Sequence, residues 1–119
     1  MNPADTQLLR GTLHVLILRI LSRESLHGYE IARRLEETSE GALGIEDGAL
    51  YQSLHRMQER GWLDSEWGHA ENGKRARFYA LTRDGRQRLE VETASWVRYA
   101  AAVLKVLEPS GVRLVGGRP

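Results

Sequence analysis

The 119 residues predict a mainly α-helical domain that carries one small β-hairpin and ends in a long helix. Three observations lead there. Apolar residues recur at helical spacing in several segments, each closed by a polar or glycine-containing break. An Asn-Gly pair, Asn72-Gly73, sits between two short extended runs and signals a hairpin turn. The last helical segment carries an apolar stripe that no later element is left to cover.

The first helix is expected over residues 3–21. Asn2-Pro3 with Asp5 supplies an N-cap, a proline at the first helical position and a first-turn acid. Leu9, Leu13, Leu16, Ile17 and Ile20 form one stripe, and Leu8, Val15 and Leu18 lie off it. A helix apolar on more than one side is usually buried on more than one side, so this one should fill a core and also touch a partner. Residues 22–28 read as a polar break. A second helix over 28–38 has a short inner face of Ile31, Ala32 and Leu35 and an acidic exit of Glu36, Glu37 and Glu40, with the turn marked by Gly41 and Gly44. The third, over 47–60, buries Leu50, Leu54 and Met57 and stops at Gly61, a residue suited to a left-handed cap. Extended runs follow at 62–67 and 75–81, joined by a tip over 69–74. The last helix starts at Thr82, an N-cap residue, and runs to Leu107. Leu89, Trp96, Ala100, Val103 and Leu107 follow a near-heptad rhythm, widened by Val97 and Leu104, as on one side of a helical pair. A flexible tail is expected from Pro109. The domain reading is therefore 1–81, then a dimerisation helix over 82–108, then the tail at 109–119.

Composition removes several function classes. With no cysteine there is no disulfide framework and no thiolate metal site. His14, His27, His55 and His69 lack the spacing of a metal site, so no metal and no cofactor are expected. No Ser-His-acid set, carboxylate pair or phosphate-binding glycine loop stands out, so an enzyme is not expected. The N-terminus lacks a signal-peptide pattern, and no apolar run approaches the ~20 residues that cross a bilayer, so a cytoplasmic chain without membrane contact is expected. The net charge is only +1, yet Lys74, Arg75, Arg77, Arg83, Arg86 and Arg88 stand against Asp84 alone between residues 74 and 88. A nucleic-acid face requires such a local patch rather than a basic total.

The order helix, helix, helix, strand, strand matches a winged helix-turn-helix, with a C-terminal dimerisation helix appended. Four segments resemble the PadR family of transcriptional regulators, over roughly residues 9–107. They are His27-Gly28-Tyr29-Glu30-Ile31, the run from Gly48 to Met57 (GALYQSLHRM), Glu59-Arg60-Gly61-Trp62-Leu63 leading to Trp67, and the run from Arg75 to Arg86 (RARFYALTRDGR). Each is weak alone; all four in order and at the right separations are highly specific. Three positions depart from the family habit: Glu46 where a Ser or Thr cap is common, Ala49 for Ser or Thr, and Gln52 for Pro.

The resemblance implies a homodimeric repressor of a near-palindromic operator in double-stranded DNA. It implies DNA contacts at Tyr29, Gly48, Ala49, Tyr51, Gln52, His55 and Arg56, and at Lys74, Arg75 and Arg77 of the wing. In that role Gln reads adenine, Arg reads guanine or holds phosphate, and Tyr holds phosphate. An ordinary solvated helix face and a solubilising hairpin are the plainer readings, with Tyr51 packing beside the stripe and Arg77 pairing with a carboxylate. Leu89, Trp96, Val97, Ala100, Val103, Leu104 and Leu107 are the expected dimer seam. Trp96 is either core packing or, as in some relatives, one wall of a dimer-centre pore for a planar aromatic effector. Two further classes stay open: a winged-helix module that binds a protein partner, and a small-molecule sequestering protein using Trp96.

Overall fold

The computed structural model describes residues 3–108, with side chains from Gln7 onward. Asn2 of the expected first cap and the tail expected from Pro109 lie outside the described residues, as does the side chain of Asp5. The elements are α1 (Pro3–Leu21), β1 (Leu26–His27), α2 (Gly28–Thr38), α3 (Asp47–Glu59), β2 (Leu63–His69), β3 (Arg75–Leu81) and α4 (Arg83–Leu107).

The core forms where α1, α2 and α3 meet the inner face of the sheet. Ile17, Leu18 and Leu21 of α1, Ile31 of α2, and Leu50, Leu54 and Met57 of α3 are almost wholly buried, with Leu63 and Tyr79 contributed by the strands. Val15 and Leu18, off the main stripe of α1, are both buried, as an all-round apolar helix requires, whereas Leu8 remains 66% exposed.

The sheet has three antiparallel strands in the order β1-β3-β2. The polar break expected at 22–28 therefore contains a strand. Leu26 pairs with Tyr79 and His27 with Phe78. Two residues are too few to show any alternation, so only the pairing reveals them. β2 begins one residue later and ends two residues later than its apolar run suggests. Trp62 is withheld from the ladder because its N–H caps α3 at the Met57 carbonyl (3.0 Å), while Gly61, at φ 81°, donates to the Gln58 carbonyl (3.0 Å). At the other end His69 still pairs with Arg75.

Thr82 performs the capping expected of it: its hydroxyl accepts the Gly85 N–H (3.0 Å) and donates to the Gly61 carbonyl (2.6 Å). α3 is less well started. Its N-cap residue, Glu46, makes no side-chain capping bond. The compact unit that begins with α1 extends through Leu89, because Gly85 is buried and Leu89 packs on the core. A second unit begins at Glu90. There Trp96, Val97, Leu104 and Leu107 are exposed, Ala100 and Val103 are half-buried, and Tyr99 and Val106, which the heptad rhythm omits, are exposed as well.

Candidate nucleic-acid interface

The site starts from α3. Its inner row, Leu50, Ser53, Leu54 and Met57, is buried, so helical geometry turns Tyr51, Gln52, His55 and Arg56 outward, where all four are exposed. Gly48 is exposed beside them and Ala49 is half-buried. His55 faces Glu59 one turn on (Nε2 to Oε2 3.5 Å).

The outward residues fall on two sides. Tyr51 leans towards the hairpin. Its ring lies against the first residue of α2, and a Cβ on Gly28 would overlap the Tyr51 phenol. His27 prepares that helix start: its Nδ1 accepts the Glu30 N–H at 3.4 Å, and its ring meets Phe78 edge-on at 5.2 Å. Tyr29, 72% exposed, follows on the same rim. Between these residues and the hairpin runs a cleft of about 460 Å³, lined by Tyr29, Tyr51, Trp67, Lys74, Arg75 and Arg77, among others. On the opposite side, Gly48, Ala49, Gln52 and Arg56 line a hollow of about 760 Å³ against α1, together with Arg10 and Arg60. Of the residues expected at DNA, five thus border the wing-side cleft, four the α1-side hollow, and His55 stands outside both.

The hairpin tip orients the wing. Gly73 (φ 82°) donates to the Ala70 carbonyl at 2.9 Å, Ala70 donates to the Lys74 carbonyl at 2.8 Å, and the Asn72 side chain accepts the Lys74 N–H at 2.9 Å. Only Gly73 takes a positive φ in this loop. It is therefore a three-residue connection with a glycine bulge rather than a two-residue Asn-Gly turn. Among the described residues Arg77 has no carboxylate partner. Its Nε donates to the Ser65 hydroxyl at 2.8 Å, and Ser65 donates to Gln58 Oε1 on α3 at 3.1 Å. Burial pushes the Tyr79 phenol up, and the nearby positive charge of Arg77 opposes that shift.

Charge separates the helices. The α2 cations are neutralised: Arg33 bonds Glu30 and Glu37, and Arg34 bonds Glu24 (3.1 Å) and Glu30 (3.3 Å). The Arg33 guanidinium beside Glu30 holds its carboxyl below the usual range, against the upward pull of desolvation. Among the described residues, Arg10, Arg56, Lys74 and Arg75 have no carboxylate partner. Uncommitted cations therefore surround α3 and the wing. The sequence does not single out Trp67, Arg10 or Arg60 as contact residues. For Trp67 the signal is present only as strand alternation, which requires the pairing partner to be known.

Among the described residues no three acidic or histidine side chains gather as they would around a metal, and no helix is long and apolar enough to cross a membrane.

Three helices, a short β-hairpin and an exposed third helix flanked by cations define a winged helix-turn-helix of the DNA-binding class. The family model of the "Transcriptional regulator PadR-like family" matches residues 17–91. A PadR family transcriptional regulator from Eggerthella lenta DSM 2243 superposes with a TM-score of 0.76 at 32% identity, covering 90% of this chain and 91% of that one. A PadR-like regulator from Bacillus cereus gives 0.74 at 28% identity, with 87% and 99% covered. The transcriptional regulator YqjI of Escherichia coli is 36% identical over 80 residues, which are 67% of this chain and 37% of that protein. The chain belongs to the PadR-like family of transcriptional regulators, a family of DNA-binding regulators and not of enzymes.

Proposed function

We propose that the chain is a cytoplasmic, homodimeric repressor with no catalytic step. It binds a near-palindromic operator by setting α3 in the major groove and the wing along the flanking phosphates. The observation that carries this reading is the gathering, among the described residues, of unpaired cations in the two hollows that border α3. Arg33 and Arg34 of α2 are tied to carboxylates, while Arg10, Arg56, Lys74 and Arg75 are left for another anion. Phosphate contact needs positive charge within reach rather than one fixed geometry, and these residues supply it on both sides of α3. Gln52 is the candidate base reader, Tyr29 and Tyr51 are phosphate ligands, and two copies related by a two-fold axis set the half-sites ~34–36 Å apart or a multiple of it.

A selection on random duplex DNA followed by a salt titration tests the reading. If ~6–10 phosphates are neutralised, affinity falls by ~10³–10⁵ between ~50 and ~200 mM salt. No enrichment and no salt dependence would instead favour a winged-helix module that binds a protein partner.

The ligand response is proposed on a separate feature. Trp96 is 40% exposed and stacks on Tyr99 with ring centroids 5.6 Å apart and planes 26° apart. An exposed pair of flat rings suits a planar aromatic effector bound at the dimer centre. Quenching of tryptophan fluorescence by flat dyes, lost in Trp96→Ala, is the expected result. Retained quenching in that variant would point to Trp62 or Trp67.

A further inference from the structure

We infer that Trp67 is a positioning residue of the wing: its indole holds the guanidinium groups of Arg75 and Arg77 in a fixed row for DNA phosphates. This rests on the DNA-binding reading above and names a device within it.

The register sets the arrangement. Trp67 lies directly opposite Arg77, and Arg75 is one repeat further along the same face, opposite His69. Strand alternation thus continues the face that buries Leu63 and Tyr79 at the base of the hairpin out to Trp67, Arg77 and Arg75 at its tip. The Arg75 guanidinium carbon is 4.3 Å from the Trp67 ring centroid and that of Arg77 is 5.4 Å from it, both within cation–π range. Trp67 is 53% exposed, so core burial does not explain a side chain of this size here.

The consequence is conformational. An arginine on an exposed hairpin samples many rotamers, and all but a few must be given up when it grips a phosphate. Stacking on a ring restricts the side chain beforehand and leaves the in-plane N–H donors facing outward. Arg77 is held twice, since its Nε also donates to Ser65, which in turn donates to Gln58 near the end of α3. The position of its guanidinium is thereby tied to the helix that enters the groove.

The test is a double-mutant cycle on the full chain with a short mixed-sequence duplex, reading affinity and its salt slope. Trp67→Ala is expected to weaken binding by about three- to tenfold while leaving the slope unchanged, because the cations remain but are no longer arranged. Arg75→Ala is expected to weaken binding and to lower the slope by about one for each phosphate it no longer neutralises. In the Trp67→Ala background the Arg75→Ala loss should shrink, and Trp67→Phe should restore most of the affinity. If Trp67→Ala does not fold, the cycle is run with Trp67→Leu, which keeps the bulk but has no aromatic face. NMR of the free protein should show Arg75 side-chain protons shifted by the ring and released in the variant. Losses that simply multiply, or unshifted Arg75 protons, overturn the positioning role and leave the DNA reading intact. Failure of the unsubstituted protein to bind any duplex overturns both.

Discussion

At Gly85 the start of α4 lies so close to the Trp62 carbonyl that a Cβ would overlap it. That same oxygen accepts the Thr82 N–H at 3.0 Å, so backbone stands on both sides and no flexible side chain is there to yield. Gly85→Ala is therefore expected to destabilise the domain by ~1–3 kcal/mol, seen as a lower melting temperature by circular dichroism. Glu40 is the opposite case. It is the only non-glycine among the described residues with positive φ (55°), and it occupies the left-handed cap of α2, where its N–H reaches the Glu37 carbonyl at 3.0 Å and the Gly41 N–H reaches Glu36 at 2.8 Å. Removing its Cβ relieves the left-handed cost and gives back part of that gain in chain entropy. Glu40→Gly is expected to stabilise by ~0.5–1 kcal/mol, measured by denaturant midpoint. The sequence marks Gly41 and Gly44 as the turn, and the position that carries the strain lies one residue earlier.

The elements divide between those that hold charge inside the fold and those that present it. On α2 the Glu30 carboxyl lies below its usual value near 4.5, first because Arg33 bonds it. The unfolded chain then binds a proton more readily than the folded one. Stability supplied by Glu30 is present above about 4.5 and lost as the pH falls through the lowered folded value. Melting temperature against pH should decline in that acid window, and Glu30→Gln should flatten the decline while lowering stability at neutral pH. An unchanged acid limb in the variant would assign the decline to other carboxyls. Among the described residues, the arginines and the lysine of α3 and the hairpin make no bond to a carboxylate. The row Leu50, Leu54 and Met57 is legible from spacing because helical periodicity alone decides which side is inward. The side on which Tyr51 and Gln52 part company is not, since that depends on where the hairpin and α1 pack.

For the whole molecule, the second unit leaves Trp96, Val97, Leu104 and Leu107 exposed along α4. Burying one large aliphatic side chain contributes ~1.5–3 kcal/mol, so covering this row in a two-fold pair is a strong drive to associate. Leu104→Asp, at a position 50% exposed, should leave the first unit folded and shift sedimentation from dimer to monomer. A folded monomer for the unsubstituted chain at micromolar concentration would overturn the proposed dimer. Leu89 is the one member of the expected seam that packs on the protomer's own core, because α4 is still part of the first unit at that point.

By itself the sequence determined the helices, the inward rows of the first three, the left-handed cap at Gly61, the cap at Thr82 and the hairpin at Asn72-Gly73. Each follows from spacing or from a residue's own backbone preference, which act over a few positions. Tertiary structure alone decided the two-residue strand at Leu26–His27, the crowding of Gly28 by Tyr51 and of Gly85 by Trp62, and the two arginines laid on Trp67. Those depend on which segments meet across the chain, and pairing between distant residues leaves no mark in local periodicity.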